Sequence, residues 1–389
     1  MKIAHIGQKG IPVMYGGVER HVDEISTRQV QRGHEVTVYV RSWYTPHDLT
    51  RYKGVHLCHL PSLRTKNFDA ITHTLLSAFH AIFFLRPDVL HFHGVGPSLL
   101  SWIPRLLAPR ITVIATFQSI DRTQEKWAWF ARWMLTLGEW TCLRIPHQSI
   151  TSSETLQEYS RTNFGCETAV IPNGVHTMKA LEPKLLEETF GLTKQSYFLS
   201  VGRIVPCKGL EDLIAAFKKL DTEQQLVIVG DNPEQRAYVD SLKTLAAENP
   251  RIHFLGNQTG RALVELFTNA SIFIQASHTE GMSMALLEGL ASGVPVVASD
   301  IPANREVIET QHADQPIGTL FRVGDVEDLC RALEQTFKQR EDLLERSKLA
   351  TSIVTTFFSW DRVADQTLAL YRAMRAYRAL TMASRQTSA

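Results

Sequence analysis

The sequence predicts an α/β protein of two domains, each a parallel sheet covered by helices. Two observations carry this expectation. Short apolar runs with the character of buried strands alternate with helical segments along nearly the whole chain, and such alternation implies parallel strands joined by crossover helices. At 389 residues the chain is also too long for one ordinary core, so two domains are expected.

The elements follow in order. Lys2–Ile6 reads as a strand, and Gly7–Glu19 follows it as a loop containing Gly16-Gly17. A helix is expected over about 18–32 and a strand over 33–40. This is a Rossmann-like opening, but its glycines are not spaced G-x-G-x-x-G, which disfavours a dinucleotide oxidoreductase. Residues 72–85 read as a helix and Pro87–His93 as a strand; a helix then runs to about Leu107, and Ile111–Thr116 is a strand. In open parallel sheets ligands lie beyond the C-terminal strand ends, which places Gly7–Gly17, His91–Gly94 and Thr116–Asp121 there. His91 and His93 themselves read as core residues. Lys126–Trp140 is the richest aromatic stretch, with Trp129, Trp133 and Trp140 at helical spacings and Lys126 and Arg132 nearby. It reads first as a core helix, with an interfacial or acceptor-docking surface as the functional alternative. His147–Ser153 is a strand, and Ser153 caps a helix over 154–164. Thr168–Val175 closes the first half.

The second half repeats the pattern. Tyr197–Gly202 is a strand and 210–220 a helix; Gln225–Asp231 and Arg251–Asn257 are further strands. Ser271–Ala276 is a buried strand, Ser283–Ser292 a helix with Leu286, Leu287 and Leu290 on one side, and Val294–Ala298 the next strand. Gly293 and Pro295 are the usual helix stop. Helices over 326–338 and 360–380 end the fold, with Ala364, Leu368 and Tyr371 on one face of the last. The polar tail 381–389 is expected to be disordered.

Composition narrows the function. A net charge of +1 argues against nucleic acid as the main partner. The five cysteines are scattered, without C-x-x-C spacing, and read as reduced thiols of a cytoplasmic protein. No signal peptide is expected, since the chain begins on a strand. The longest apolar stretch, near 78–85, is too short to span a bilayer.

Two stretches carry chemistry. In Glu280–Glu288 a glycine and a serine, Gly281 and Ser283, sit at a helix mouth, where unpaired N–H groups and the helix dipole suit a phosphate. Carboxylates repel phosphate, so Glu280 and Glu288 more plausibly read hydroxyls, as on a sugar or ribose. In Arg203–Gly209, Arg203 and Lys208 stand five apart after a strand and before a helix, which suits a diphosphate. Gly16 and Gly17, lacking Cβ atoms, allow a ligand to approach the backbone.

These segments resemble a known family. Glu280-Gly281, Leu287-Glu288, Ser292–Asp300 and Glu306–Ile308 together are similar to the donor-binding segment of the retaining GT-B glycosyltransferases of family 4. Val201-Gly-Arg203 followed by Lys208-Gly209 is similar to that family's diphosphate clamp. Gly10–Glu19 resembles the N-terminal loop of its rhamnosyltransferase-like branch, and Pro172-Asn173-Gly174 its interdomain crossing. The resemblance implies two Rossmann-like domains facing across a cleft, over 1–173 and 174–358, with a helix from 359 folding back on the first domain. It implies transfer of a sugar, with retention, from a nucleoside-diphosphate sugar to a hydroxyl of a glycan or lipid-linked glycan, with no other cofactor. Arg203, Lys208 and Glu280 would be the catalytic groups. Donor contacts would come from Gly16, Gly17, Gln118, Gly256, the backbone of Gly281, Met282 and Ser283, and Glu288. No Asp-x-Asp occurs in the chain, so no metal is expected. Localisation would be cytoplasmic, with peripheral contact at the inner face of the membrane through the Trp129/Trp133/Trp140 face. The chain departs from the pattern at Gln118-Ser119, where the family often has His-Gly. Glutamine is no acid or base near neutral pH; a non-catalytic nucleotide-sugar-binding partner of an assembly complex, and more weakly an epimerase, therefore stay open.

Overall fold

A computed structural model describes residues 1–65, 68–120 and 129–387. Lys126 lies outside the described residues, as do the side chains of Trp129, Arg132 and Trp133 on which the expected aromatic face depends. The chain forms two compact units, 1–173 with 360–389, and 174–359.

The first unit holds strands β1 (Lys2–Ile6), β2 (Glu35–Arg41), β3 (Arg51–Tyr52), β4 (Val55–Leu60), β5 (Val89–His93), β6 (Thr112–Phe117), β7 (Gln148–Thr151) and β8 (Ala169–Val170). Their order is β3-β4-β2-β1-β5-β6-β7-β8, parallel except for the β3–β4 pair. Ile3 pairs with Val36 on one side and Val89 on the other, and β5 and β6 are buried at every residue. Sheets covered on both faces require such continuous apolar runs. The chain builds outward from β1 in one direction, then restarts at β5 in the other, so the order reverses between β1 and β5.

The C-terminal helix, Trp360–Thr387, completes this unit. Trp360, Ala364, Leu368 and Tyr371 are buried on one face. The helix packs on the Gly17–Gln31 helix, and Arg32 binds Asp365 at 2.5 Å and Asp361 at 3.0 Å. Arg375 reaches Asp88, and Arg378 donates to Thr112 Oγ1 at 2.8 Å. The expected disorder from Thr381 is corrected: the helix continues to Thr387. No Gly or Pro interrupts 381–387, and the hydroxyls of Thr381 and Ser384 bond back to carbonyls three residues earlier rather than breaking the turn.

The second unit holds β9 (Tyr197–Val201), β10 (Gln225–Val229), β11 (Ile252–Phe254), β12 (Ile272–Gln275), β13 (Val296–Ser299) and β14 (Thr319–Phe321). All pairs are parallel, in the order β11-β10-β9-β12-β13-β14. Here the order reverses between β9 and β12. Leu286, Leu287 and Leu290 bury the Met284–Ala291 helix on this sheet, as their spacing predicts. The β3–β4 hairpin and the helices Arg236–Ala246, Gly260–Asn269 and Leu344–Phe357 are additions to the sequence reading.

Candidate functional site

The reversal between β9 and β12 opens a shallow cleft lined by Arg203, Lys208, Gln275 and Ser277 among others. Local geometry brings these groups together. After β9 the chain turns through Pro206–Lys208 into the Leu210–Lys219 helix. Gly209 makes that turn with φ 62°, and a Cβ there would lie 2.1 Å from the carbonyl oxygen of Ala276. Only glycine lets the Lys208 loop press so closely on the end of β12. The backbone N–H of His278 donates to Cys207 O at 2.8 Å and stitches the same junction.

Lys208 Nζ therefore meets the carboxylate of Glu280. The same oxygen, Glu280 Oε1, accepts from Gln275 Nε2 at 2.9 Å and Ser277 Oγ at 2.7 Å. The pair is mostly shielded, with side-chain exposures of 21% for Lys208 and 14% for Glu280. Sequence reasoning assigns these two side chains to different parts of a donor; the fold makes them direct partners. Arg203 stands apart, exposed and with no hydrogen bond among the described residues. Its guanidinium is open to an anion at the mouth of the cleft.

The helix mouth beside them is built as its sequence predicts. Ser283 Oγ accepts from Leu286 N at 3.3 Å and caps the Met284–Ala291 helix. The Met282 side chain joins the apolar core, so only its backbone faces chemistry of the kind expected. Glu288 lies in the helix and is buried, not a solvated surface acid. Gly256, beyond β11, accepts from Gly230 N at 2.8 Å and has open space over its Cα.

Sequence reasoning missed Gln275, Ser277 and the pair His278 Nε2–Asp212 Oδ2 at 2.6 Å. One signal pointed to Gln275: it is a polar residue ending an apolar strand, where ligands of parallel sheets sit.

In the first unit, Gly16 has φ 106° and precedes the Gly17–Gln31 helix. The Glu19 side chain folds over this mouth, accepting from Lys9 N at 3.0 Å, and a Cβ on Gly16 would fall 1.9 Å from its Oε2. A Cβ on Gly17 would meet nothing within 4 Å. Gly16→Ala is therefore expected to destabilise the fold by about 1 kcal/mol or more, and Gly17→Ala to leave stability unchanged. Denaturant melts of both variants check this; equal losses would contradict it. Gln118 follows β6, and its Nε2 is buried with no hydrogen-bond partner among the described residues.

Beside these lies a buried histidine set. His5 Nε2 meets Gln29 Oε1 at 2.8 Å, and His5 Nδ1 meets His93 Nε2 at 3.0 Å. A carbonyl oxygen only accepts, so His5 donates to Gln29, and its Nδ1 accepts from His93. His91 joins Thr116 Oγ1 at 2.7 Å to Tyr371 OH at 2.5 Å. His21 Nδ1 meets Asn173 Oδ1 at 3.1 Å. Burial pushes His5 and His21 down to about 4, and His91 and His93 well below the usual histidine range. His5, His91 and His93 are the one group of metal-type ligands among the described residues, but His5 and His91 spend both nitrogens on hydrogen bonds.

Two parallel-sheet units in one chain are the architecture of the GT-B glycosyltransferases. Sucrose-phosphate synthase from Thermosynechococcus elongatus superposes with a TM-score of 0.81 at 20% identity, over 96% of this chain and 99% of that one. An Anabaena protein crystallised with UDP-glucose gives 0.80 at 18% identity, over 96% and 100%. Residues 15–179 match the family described as Glycosyltransferase Family 4, and residues 184–351 match Glycosyl transferases group 1. The phosphatidyl-myo-inositol mannosyltransferase of Mycolicibacterium smegmatis is 27% identical over 92% of this chain and 90% of its own length. A glycogen synthase of Mycobacterium tuberculosis is 24% identical over 96% and 95%. The chain belongs to the GT-B glycosyltransferases of the family 4 type.

Proposed function

We propose that this glycosyltransferase moves a sugar, with retention and without a metal, from a nucleoside-diphosphate sugar to a hydroxyl of a glycan or lipid-linked glycan. The observation that carries this is the cleft between β9 and β12, where exposed Arg203 and the Lys208–Glu280 pair converge at the strand ends. Charge builds on the diphosphate as the sugar leaves, and Lys208, held against Glu280, and the open guanidinium of Arg203 neutralise it. Lys208 then serves both the diphosphate and Glu280, while Gln275 and Ser277 hold the carboxylate in place to read sugar hydroxyls. Backbone N–H groups of Gly281, Met282 and Ser283 add donors, Glu288 takes the ribose, and Gly256 borders the base. Solved relatives with UDP-glucose and with UDP support a donor of this class. The mannosyltransferase and glycogen synthase support glycan and lipid-linked acceptors. The Gly10–Glu19 loop supports a rhamnosyltransferase-like branch.

Activity is expected to persist when divalent ions are chelated, since Arg203 and Lys208 do the neutralising. Loss of turnover in EDTA, restored by Mg²⁺ or Mn²⁺, would defeat the metal-free reading.

Gln118 cannot take a proton near neutral pH, so the leaving phosphate oxygen accepts the acceptor's proton. Gln118 Nε2, buried with no hydrogen-bond partner among the described residues, supports a hydrogen bond to the donor. Gln118→Ala is expected to slow turnover roughly 10- to 10²-fold, the worth of one or two hydrogen bonds, while Gln118→His stays active. A wild type that binds nucleotide sugars, seen as a raised melting point, yet cleaves none would favour the non-catalytic reading.

A further inference from the structure

We infer that the second unit holds a phosphate-type oxyanion in a small polar cavity at the N-terminal ends of β13 and β14. The donor cleft lies beyond the C-terminal ends of the strands of this parallel sheet, so the two places are at opposite ends of it. Val296 opens β13 and Thr319 opens β14, and both line the cavity. The Val326–Lys338 helix brings Thr336 to it, and the Leu344–Phe357 helix brings Arg346 and Ser347. Arg346 Nη2 donates to Thr319 Oγ1 at 3.3 Å, and the guanidinium has no ion pair among the described residues. Glu345, the acid next to it in sequence, is spent on Lys348 at 2.7 Å. Thr336 Oγ1 lies 3.5 Å from Thr319 Oγ1. The two threonines can use only one of their protons on each other, which leaves the second to be donated elsewhere. Ser347 is 4% exposed, and its hydroxyl has no hydrogen-bond partner among the described residues.

The donor set selects the ligand. The unspent groups are a guanidinium and hydroxyls, all able to donate, and no lining residue is an acid. A metal ion or an ammonium group would meet a cation and no carboxylate, whereas an oxyanion meets Arg346 and the hydroxyls together. Electrostatics point the same way. Burial is the one cause acting on Arg346, and it pulls the guanidinium below its ordinary value. Arginine nevertheless keeps its charge, so holding it half out of water without a counter-charge is unfavourable, and a bound anion supplies that counter-charge. Arg346 also reaches solvent, so the anion is either free phosphate or the terminal phosphate of a small metabolite. Binding ties the Leu344–Phe357 helix to β14. The same helix is fixed on its other side, where Thr351 Oγ1 donates to Leu290 O at 3.0 Å. Occupancy is therefore expected to stabilise the unit. The site is separate from the transfer chemistry and does not depend on that reading.

The test is a thermal melt of the full chain carrying Arg203→Ala, which removes the open cation of the donor cleft. Sodium phosphate is titrated against sodium chloride at matched ionic strength. Phosphate is expected to raise the melting temperature by about 2–4 °C in a saturable way, and chloride is not. Saturation is the criterion, because excluded salts stabilise proteins without saturating. Adding Arg346→Gln is expected to abolish the saturable rise. Adding Ser347→Ala is expected to weaken apparent affinity about tenfold, the worth of one hydrogen bond to a charged group, and it carries the test if Arg346→Gln does not fold. Glycerol phosphate, titrated alongside, separates the sources: a rise with inorganic phosphate alone assigns the free ion, and a rise with glycerol phosphate assigns a phosphate terminus. The inference is overturned if neither phosphate does more than chloride. It is equally overturned if folded Arg346→Gln keeps the saturable rise, or if Ser347→Ala leaves the affinity unchanged.

Discussion

Lys208→Ala is expected to lower turnover by about 10²-fold or more, the scale of losing one preorganised charge partner of a transition state. Lys208 is held at the strand ends by the Gly209 turn and shares Glu280 Oε1 with Gln275 and Ser277. Its loss removes a cation from the proposed diphosphate seat and frees Glu280 to turn away from the sugar. The two effects travel through one contact, so Lys208→Ala and Glu280→Gln together should cost less than the sum of each alone. The pair is mostly shielded, though Glu280 keeps its bonds from Gln275 and Ser277, so the stability loss should be about 1–3 kcal/mol. Arg203→Ala should cost turnover similarly and stability nothing, because its guanidinium has no partner among the described residues. Steady-state rates at saturating donor, with thermal melts of each variant, check this. Turnover within a few-fold of wild type in either single variant would remove the diphosphate assignment.

Acid is expected to unfold the first unit over a narrow range near pH 5. His5, His21, His91 and His93 are buried and neutral, and burial, the largest cause, holds each below its ordinary value of 6.5. The sign follows. Below pH 6.5 the unfolded chain takes up protons that the folded chain refuses, so stability falls as pH drops and is fully present only above that value. For His5 and His21, at about 4 when folded, the loss reaches about 3 kcal/mol each by pH 4 and about 2 kcal/mol each by pH 5. His91 and His93, also held well below the usual histidine range by burial, shift stability in the same direction. Against a total of about 5–15 kcal/mol, this is decisive. Urea melts from pH 8 to pH 5 should show a steep fall in midpoint, with a slope of several protons per unfolding event. His5→Gln should lower that slope by about one proton. A midpoint constant between pH 7 and pH 5 would mean that the set is solvated or already charged.

Much of this molecule is legible in its sequence because the relevant physics is local. Apolar runs such as Val36–Val40 and Ile272–Gln275 become buried parallel strands, since a sheet covered on both faces needs apolar side chains in succession. Ser153 and Ser283 cap helices because a hydroxyl one residue before the first turn finds an unpaired N–H. The motifs around Arg203, Lys208, Glu280 and Glu288 point to the family because their spacing along the chain is itself the signal.

Tertiary structure alone decides what lies between distant residues. Lys208 and Glu280 are 72 residues apart, and their pairing depends on β9 and β12 becoming neighbours at the sheet's reversal. His91 and Tyr371 are 280 residues apart, and they meet only because the last helix returns to the first unit. Neither periodicity nor motif encodes such contacts, because they are set by which strands align and which helix covers them. The same holds for Phe83, Phe84 and Leu106, whose helices the sequence predicts but whose exposure it does not. Burial is a property of the whole packing, and the packing leaves them at the surface.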